Sequence, residues 1–142
     1  MSAFLLDTVA ISATRRPARN PAMREWMDVH AADDIYISAV SLGELERGIA
    51  TARDTELIEQ LRAWLAHLVE SYAPWTLAFD TDVARVWGQR VGALARRGRV
   101  VPVVDAMLAA TATAYDLVVV TRNTRDFMPF GVATVNPWEE QP

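Results

Sequence analysis

Between Pro102 and Phe127 the chain reads as a helix of small residues followed by a wholly apolar strand, a pairing that constrains the fold more than any other segment. The first part opens Pro102-Val-Val-Asp105-Ala-Met-Leu-Ala-Ala110, and Ala recurs at 106, 109, 110, 112 and 114. Side chains this small let a helix lie close against a sheet. The second part, Leu117-Val-Val-Val120, is a continuous apolar run of strand length that ends in Thr121-Arg-Asn-Thr-Arg-Asp126-Phe127. Bounded by polar residues, it reads as a buried strand.

The same alternation holds upstream. Ser2 to Leu6 reads as a short buried strand, with a brief helix from Val9 towards Arg15-Arg16. Asn20-Pro21 marks a helix start that runs to about Val29, with Asn as the cap and Pro in the first turn. Ile35 to Ser38 is a second strand, after which Ser41 opens another helix. Leu57, Leu61, Trp64, Leu65, Leu68 and Tyr72 then recur at helical spacing and form one apolar stripe, and Pro74 ends that helix. Thr76 to Phe79 is a short strand. Asp80 to Asp82 cap a helix with Val83, Trp87, Val91 and Leu94 inward, and Gly98 stops it. Val132 to Val135 is a last edge strand. Strands alternating with helices predict an α/β fold with a parallel sheet between helical layers. Residues 1–142 form one domain of ordinary size, without repeats or a linker.

Composition removes several kinds of chemistry. There is no cysteine, so disulfides, thiol nucleophiles and thiolate-bound zinc are excluded. All 14 basic residues are Arg, and the absence of Lys excludes a Walker A loop and Schiff-base catalysis. The net charge of −4 means that contact with a polyanion has to come from local Arg groups. No apolar run is long enough to span a membrane, and Asp7 interrupts the apolar start, so the expectation is a cytoplasmic protein without membrane attachment.

Four acids occupy equivalent places in the alternation. Asp7 ends Phe4-Leu-Leu6, Glu44 lies in Ser41-Leu-Gly-Glu44, Asp105 opens the Ala-rich helix, and Asp126 follows the Leu117–Val120 strand. Each has an ordinary explanation. Ser41-x-x-Glu44 matches a capping box, Asp105 suits the positive end of a helix, Asp126 suits a turn or cap, and Asp7 ends a strand because Asp disfavours strand continuation. Together they carry more weight, because strand ends and helix starts in a parallel sheet converge on one crevice. Two carboxylates about 4 Å apart repel by roughly 4 kcal/mol at an effective dielectric near 20, so such a cluster calls for protons or cations. All-oxygen ligation points to magnesium or manganese, which can activate water and stabilise the leaving oxygen of a phosphodiester. Arg15, Arg16, Arg122 and Arg125 flank the rim as candidate phosphate contacts, whereas Arg96, Arg97 and Arg99 read as a solvated helix end. Trp64 and Trp87 read as core, and His67 as surface.

These residues resemble the PIN-domain ribonucleases, and within them the VapC-type toxins of toxin–antitoxin pairs. The matching pieces are Leu5-Leu-Asp7-Thr8, Ser41-x-x-Glu44-Leu-x-x-Gly48, Asp105-Ala-Met-Leu-Ala-Ala110, Val120-Thr-Arg-Asn-Thr-Arg-Asp126-Phe127 and Val135-Asn-Pro-Trp138, in family order along nearly the whole chain. The resemblance implies a three-layer α/β/α sandwich and a magnesium- or manganese-dependent endoribonuclease. It also implies a homodimer, a cognate VapB-type antitoxin, and operator DNA reached only through that antitoxin. Asp7, Glu44, Asp105 and Asp126 match the acidic positions; Thr8, Ser41, Thr121 and Asn123 match the polar positions around them. Many relatives carry Asn where this chain has Val9. Some place the fourth acid where this chain has the neutral Asn123, which leaves Asp126 as the charged candidate. Rival readings are a non-catalytic PIN-like module that binds RNA or protein, and a receiver-like domain, which the absence of Lys disfavours.

Overall fold

The computed structural model describes residues 2–139. Five strands form one parallel sheet in the order β3-β2-β1-β4-β5, with β1 (Ala3–Leu6) at the centre, β2 (Asp34–Ser38) and β3 (Thr76–Leu77) on one side, and β4 (Val118–Val120) and β5 (Thr134–Val135) on the other. Helices α1 (Thr8–Thr14) and α2 (Pro21–Val29) link β1 to β2. Helices α3 (Ala39–Thr51) and α4 (Thr55–Ser71) link β2 to β3. Helices α5 (Thr81–Arg96) and α6 (Val103–Tyr115) then cross back to β4, and the short α7 (Thr124–Phe127) precedes β5.

The period-two alternation of the central strands builds two cores. Phe4 pairs with Ile35 and Val118, and Leu5 with Tyr36 and Val119. Phe4, Leu6, Ile37 and Val120 face one side, where they bury Ile11, Met23, Ile49, Leu65 and Leu68 of α1 to α4. Leu5 and Val119 face the other, where they meet Leu94 of α5, Ala106, Leu108, Ala109 and Ala112 of α6, and Phe127. Two apolar layers, one on each face, make the α/β/α sandwich. The stripe on α4 packs as read: Leu65 and Leu68 are buried, while Leu61, Trp64 and Tyr72 pack against the same core. Trp87 packs against the second core, and His67 is exposed.

Helix starts differ from the sequence reading in instructive ways. Ser41-x-x-Glu44 is not a capping box. Ser38, the last residue of β2, caps α3 by accepting the Val40 N–H at 3.0 Å, so the helix begins before Ser41. Asn20 does not cap α2 with its side chain; its amide donates instead to the Ala13 and Arg16 carbonyls at the exit of α1. Helix α6 starts at Val103, two residues before Asp105, and behind it Pro102 offers no side-chain cap. Asp80 caps α5 as expected, accepting the Val83 N–H at 3.0 Å. Gly98, at φ +74, sits just past the end of α5, a left-handed position that favours a residue without Cβ.

Candidate functional site

The direction of the chain reverses between β1 and β4. After β1 it builds the sheet outward through β2 and β3, then crosses back to add β4 on β1's free side. The crevice beyond the carboxyl ends of these two strands is the expected ligand position in such a sheet. Asp7 lies in it. Its N–H donates to the Val120 carbonyl at 3.0 Å, extending the β1–β4 ladder by one bond before α1 begins. The Asp7 carboxylate caps α1 by accepting the Ala10 N–H at 2.8 Å, and it also bonds the Thr121 hydroxyl. The residue is 4% exposed, and this burial raises its pKa against the opposing pull of the two hydrogen bonds.

Asp105 is where the acids meet. Its pKa is pushed up to about 6, first by burial, then by the charges of Asp126, Asp7 and Glu44, with a side-chain hydrogen bond to Asp126 adding to the rise. Three carboxylates from three other parts of the chain therefore act on one residue, which is the convergence expected from the alternation. Asp105 stands in the first turn of α6, Glu44 in the second turn of α3 and Asp126 on α7, rather than on the strand end itself. Among the described residues, no three acids or histidines are drawn in tightly enough to make a metal-ligand group in this geometry. The donor chemistry nevertheless fits a hard cation: the cluster offers carboxylate and hydroxyl oxygens, and it holds its charge only at a cost.

The polar residues form two separate pairs near the acids. Thr8 donates to Ser41 at 3.0 Å, tying the start of α1 to the first turn of α3, and Ser41 is fully buried. Thr121, also fully buried, accepts the Asn123 N–H at 2.9 Å while its hydroxyl serves Asp7. Asn123 itself is exposed and gives α7 no side-chain cap.

One buried polar residue was missed as part of this framework. Asn136, 4% exposed, donates to the Arg122 carbonyl at 3.2 Å and accepts the Trp138 N–H at 2.9 Å. The Arg122 guanidinium in turn lies 5.0 Å from the centre of the Trp138 ring. The Asn-Pro-Trp segment after β5 thus fixes the loop that follows β4. The sequence marks this segment through the family-like Val135-Asn-Pro-Trp138, but Asn-Pro by itself reads as an ordinary turn and does not show that Asn136 is buried.

The arginines divide by position. Arg122 and Arg125 are exposed on the loop and helix that follow β4, at the crevice end of the sheet. Arg15 and Arg16 follow the last residue of α1, about 12 Å of helix away from Asp7, so they belong to the far end of α1 rather than to the rim.

The profile of the PIN domain matches residues 4–128. Toxin FitB of Neisseria gonorrhoeae is 33% identical over 138 residues, covering 96% of this chain and 99% of FitB. VapC ribonuclease Y4jK of Sinorhizobium fredii is 31% identical over 138 residues, covering 96% and 98% respectively. The crystal structure of FitAcB from Neisseria gonorrhoeae superposes with a TM-score of 0.86 at 33% identity, over 96% of this chain and 99% of that one. With its sheet order, its crevice acids and these similarities in agreement, the chain belongs to the PIN-domain family, in the branch that holds the VapC-type toxins.

Proposed function

We propose that this protein is a magnesium- or manganese-dependent endoribonuclease and the toxin of a toxin–antitoxin pair, held in check by a VapB-type antitoxin. The observation that carries the reading is the meeting of Asp7, Glu44 and Asp126 on Asp105 at the β1–β4 reversal. Relatives of nearly the same length are named toxin and ribonuclease, and one similar structure is of FitAB bound to an IR36 DNA fragment, which supports an operator reached through the antitoxin.

In this reading Asp7, Glu44, Asp105 and Asp126 would hold the ion. Once bound, it would supply charge to the scissile phosphate and lower the pKa of a nearby water. The chain's own residues do the positioning. Asp7 is held at the start of α1 by the Ala10 N–H on its Oδ1, with Thr121 beside it. Thr8 and Ser41 hold the start of α1 against α3, which fixes Asp7 relative to Glu44. Arg122, braced by Trp138 and by the bond from Asn136 to its carbonyl, offers a fixed cation for a neighbouring phosphate. Water attacks phosphorus and gives up a proton to solvent, the P–O3′ bond breaks, and the departing O3′ takes up a proton from solvent, leaving 5′-phosphate and 3′-hydroxyl ends.

The decisive experiment is cleavage of single-stranded RNA by the purified chain with magnesium, with manganese and with excess EDTA, followed by mapping of the ends. Metal-dependent cuts with 5′-phosphate ends are expected. Full activity in EDTA, or 2′,3′-cyclic phosphate ends, would reject the mechanism. The reading also includes a homodimer, which light scattering on the free protein would detect.

A further inference from the structure

A cluster of acids repels the polyanion that the proposed activity needs, so the substrate must be held by cations near the crevice but outside it. Arg122 and Arg125, after β4, are one such group. The fold brings a second group to the same end. Tyr115, the last residue of α6, donates its hydroxyl to Asp80 at the start of α5 at 2.8 Å. Leu94 near the end of α5 is buried in one core with Ala106 near the start of α6. The two helices are therefore antiparallel, and the turn between them lies at the end that carries Asp105.

That turn is Arg96-Arg97-Gly98-Arg99. It is a built structure: Gly98 donates to the Ala95 carbonyl and Arg99 to the Leu94 carbonyl, both at 2.9 Å, with Gly98 at φ +74. Its three arginines are exposed, and among the described residues none of them makes a salt bridge. From Arg99 to the first residue of α6 is four residues, at most about 14 Å of chain.

We propose that the α5–α6 turn is a phosphate-binding arm, in which Arg96, Arg97 and Arg99 hold the backbone of a single-stranded RNA at the crevice end of the molecule, in addition to Arg122 and Arg125. The strand then passes Asp105 while both groups of cations hold its phosphates. The proposal rests on the ribonuclease reading and adds the path of the substrate. The arm positions substrate and takes no part in the chemistry.

The test compares two triple variants with equal loss of charge. One is Arg96→Gln, Arg97→Gln, Arg99→Gln. The other removes Arg24, Arg53 and Arg85, which are exposed and lie off the crevice end. Binding of a fluorescent single-stranded RNA is measured against salt in an Asp105→Asn background, so that binding is read whether or not the wild type cleaves. Each lost phosphate contact removes about 0.7 from the slope of log K against log salt. The arm variant should therefore lose about 2 units of slope and bind tenfold or more weakly at low salt, with the control close to the parent. In the otherwise wild-type chain the arm variant should raise KM with little change in kcat.

Equal effects of the two triples, or an unchanged slope for the arm variant, would overturn the arm. RNA binding left intact while capture of the cognate antitoxin weakens would also overturn it, reassigning the turn to protein docking. If the wild type binds RNA through the arm yet cuts nothing with either metal, the nuclease reading fails and the arm stands.

Discussion

Asp105 carries an electrostatic cost that can be read in solution. Its folded pKa of about 6 lies above the ordinary 3.8, so between those values the folded state holds more proton than the unfolded one. Stability therefore falls as pH rises through that window. The penalty is absent below it and complete above it. Two units would correspond to about 3 kcal/mol, but the group is half-buried and screened by water, which reduces the figure to on the order of 1 kcal/mol. Asp105→Asn should accordingly raise the apo melting temperature by about 3 °C at pH 7.5 and leave it nearly unchanged at pH 3.5. The same variant should lose RNA cleavage altogether. A folded Asp105→Asn protein that still cuts RNA with magnesium would remove this residue from the chemistry.

At the scale of the element, α6 acts through its alanines. Ala109 and Ala110 are 0% and 1% exposed, and Ala109 packs directly under the sheet beside Leu5 and Val119. Enlarging it forces the helix outward. Ala109→Leu should cost about 1–3 kcal/mol through overpacking. Because Asp105 lies one turn away, the surviving folded fraction should lose about 100-fold in cleavage, as expected for an ångström-scale misplacement. Leu68→Ala, in the opposite core, serves as the contrast: it should cost about 2–5 kcal/mol in urea unfolding yet leave kcat of the folded protein unchanged. Similar kcat values for the two variants would show that the acid does not depend on how closely α6 sits. The apolar pattern made most of these elements legible in the sequence. Helix starts were less so, because which residue caps depends on where the preceding strand stops: β2 runs to Ser38 and thereby displaces Ser41 from the cap.

For the whole molecule, the proposed function predicts that the acids couple folding to ions and to a partner. An ion bound at 100 times its Kd should stabilise the fold by about 2.7 kcal/mol, so magnesium should raise the melting temperature of the wild type and not of Asp105→Asn. Calorimetry with and without EDTA would check this; an equal shift in both proteins would locate the ion elsewhere. An antitoxin that silences the crevice should do so with a cation, Arg being the better fit for paired carboxylates. Asp7→Asn combined with Asp105→Asn should then weaken antitoxin affinity by tenfold or more at low salt. Unchanged affinity in that double variant would mean inhibition from a remote surface.

Sequence by itself determined the layers, because alternation within strands and 3.6-residue spacing within helices are local properties that survive any arrangement. It also marked the four acids and excluded thiol, lysine and Walker-type chemistry, since residue type alone decides those. The tertiary structure decided everything that depends on direction. It sent Arg15 and Arg16 down α1 away from the crevice, and it turned α5 back along α6 so that the Arg96–Arg99 turn stands at the end of α6 that carries Asp105. It also buried Asn136 beneath the loop that carries Arg122. The sequence places the charge run at the end of α5; only the packing of α5 against α6 and the sheet says that this end lies on the side of the molecule where the acids meet.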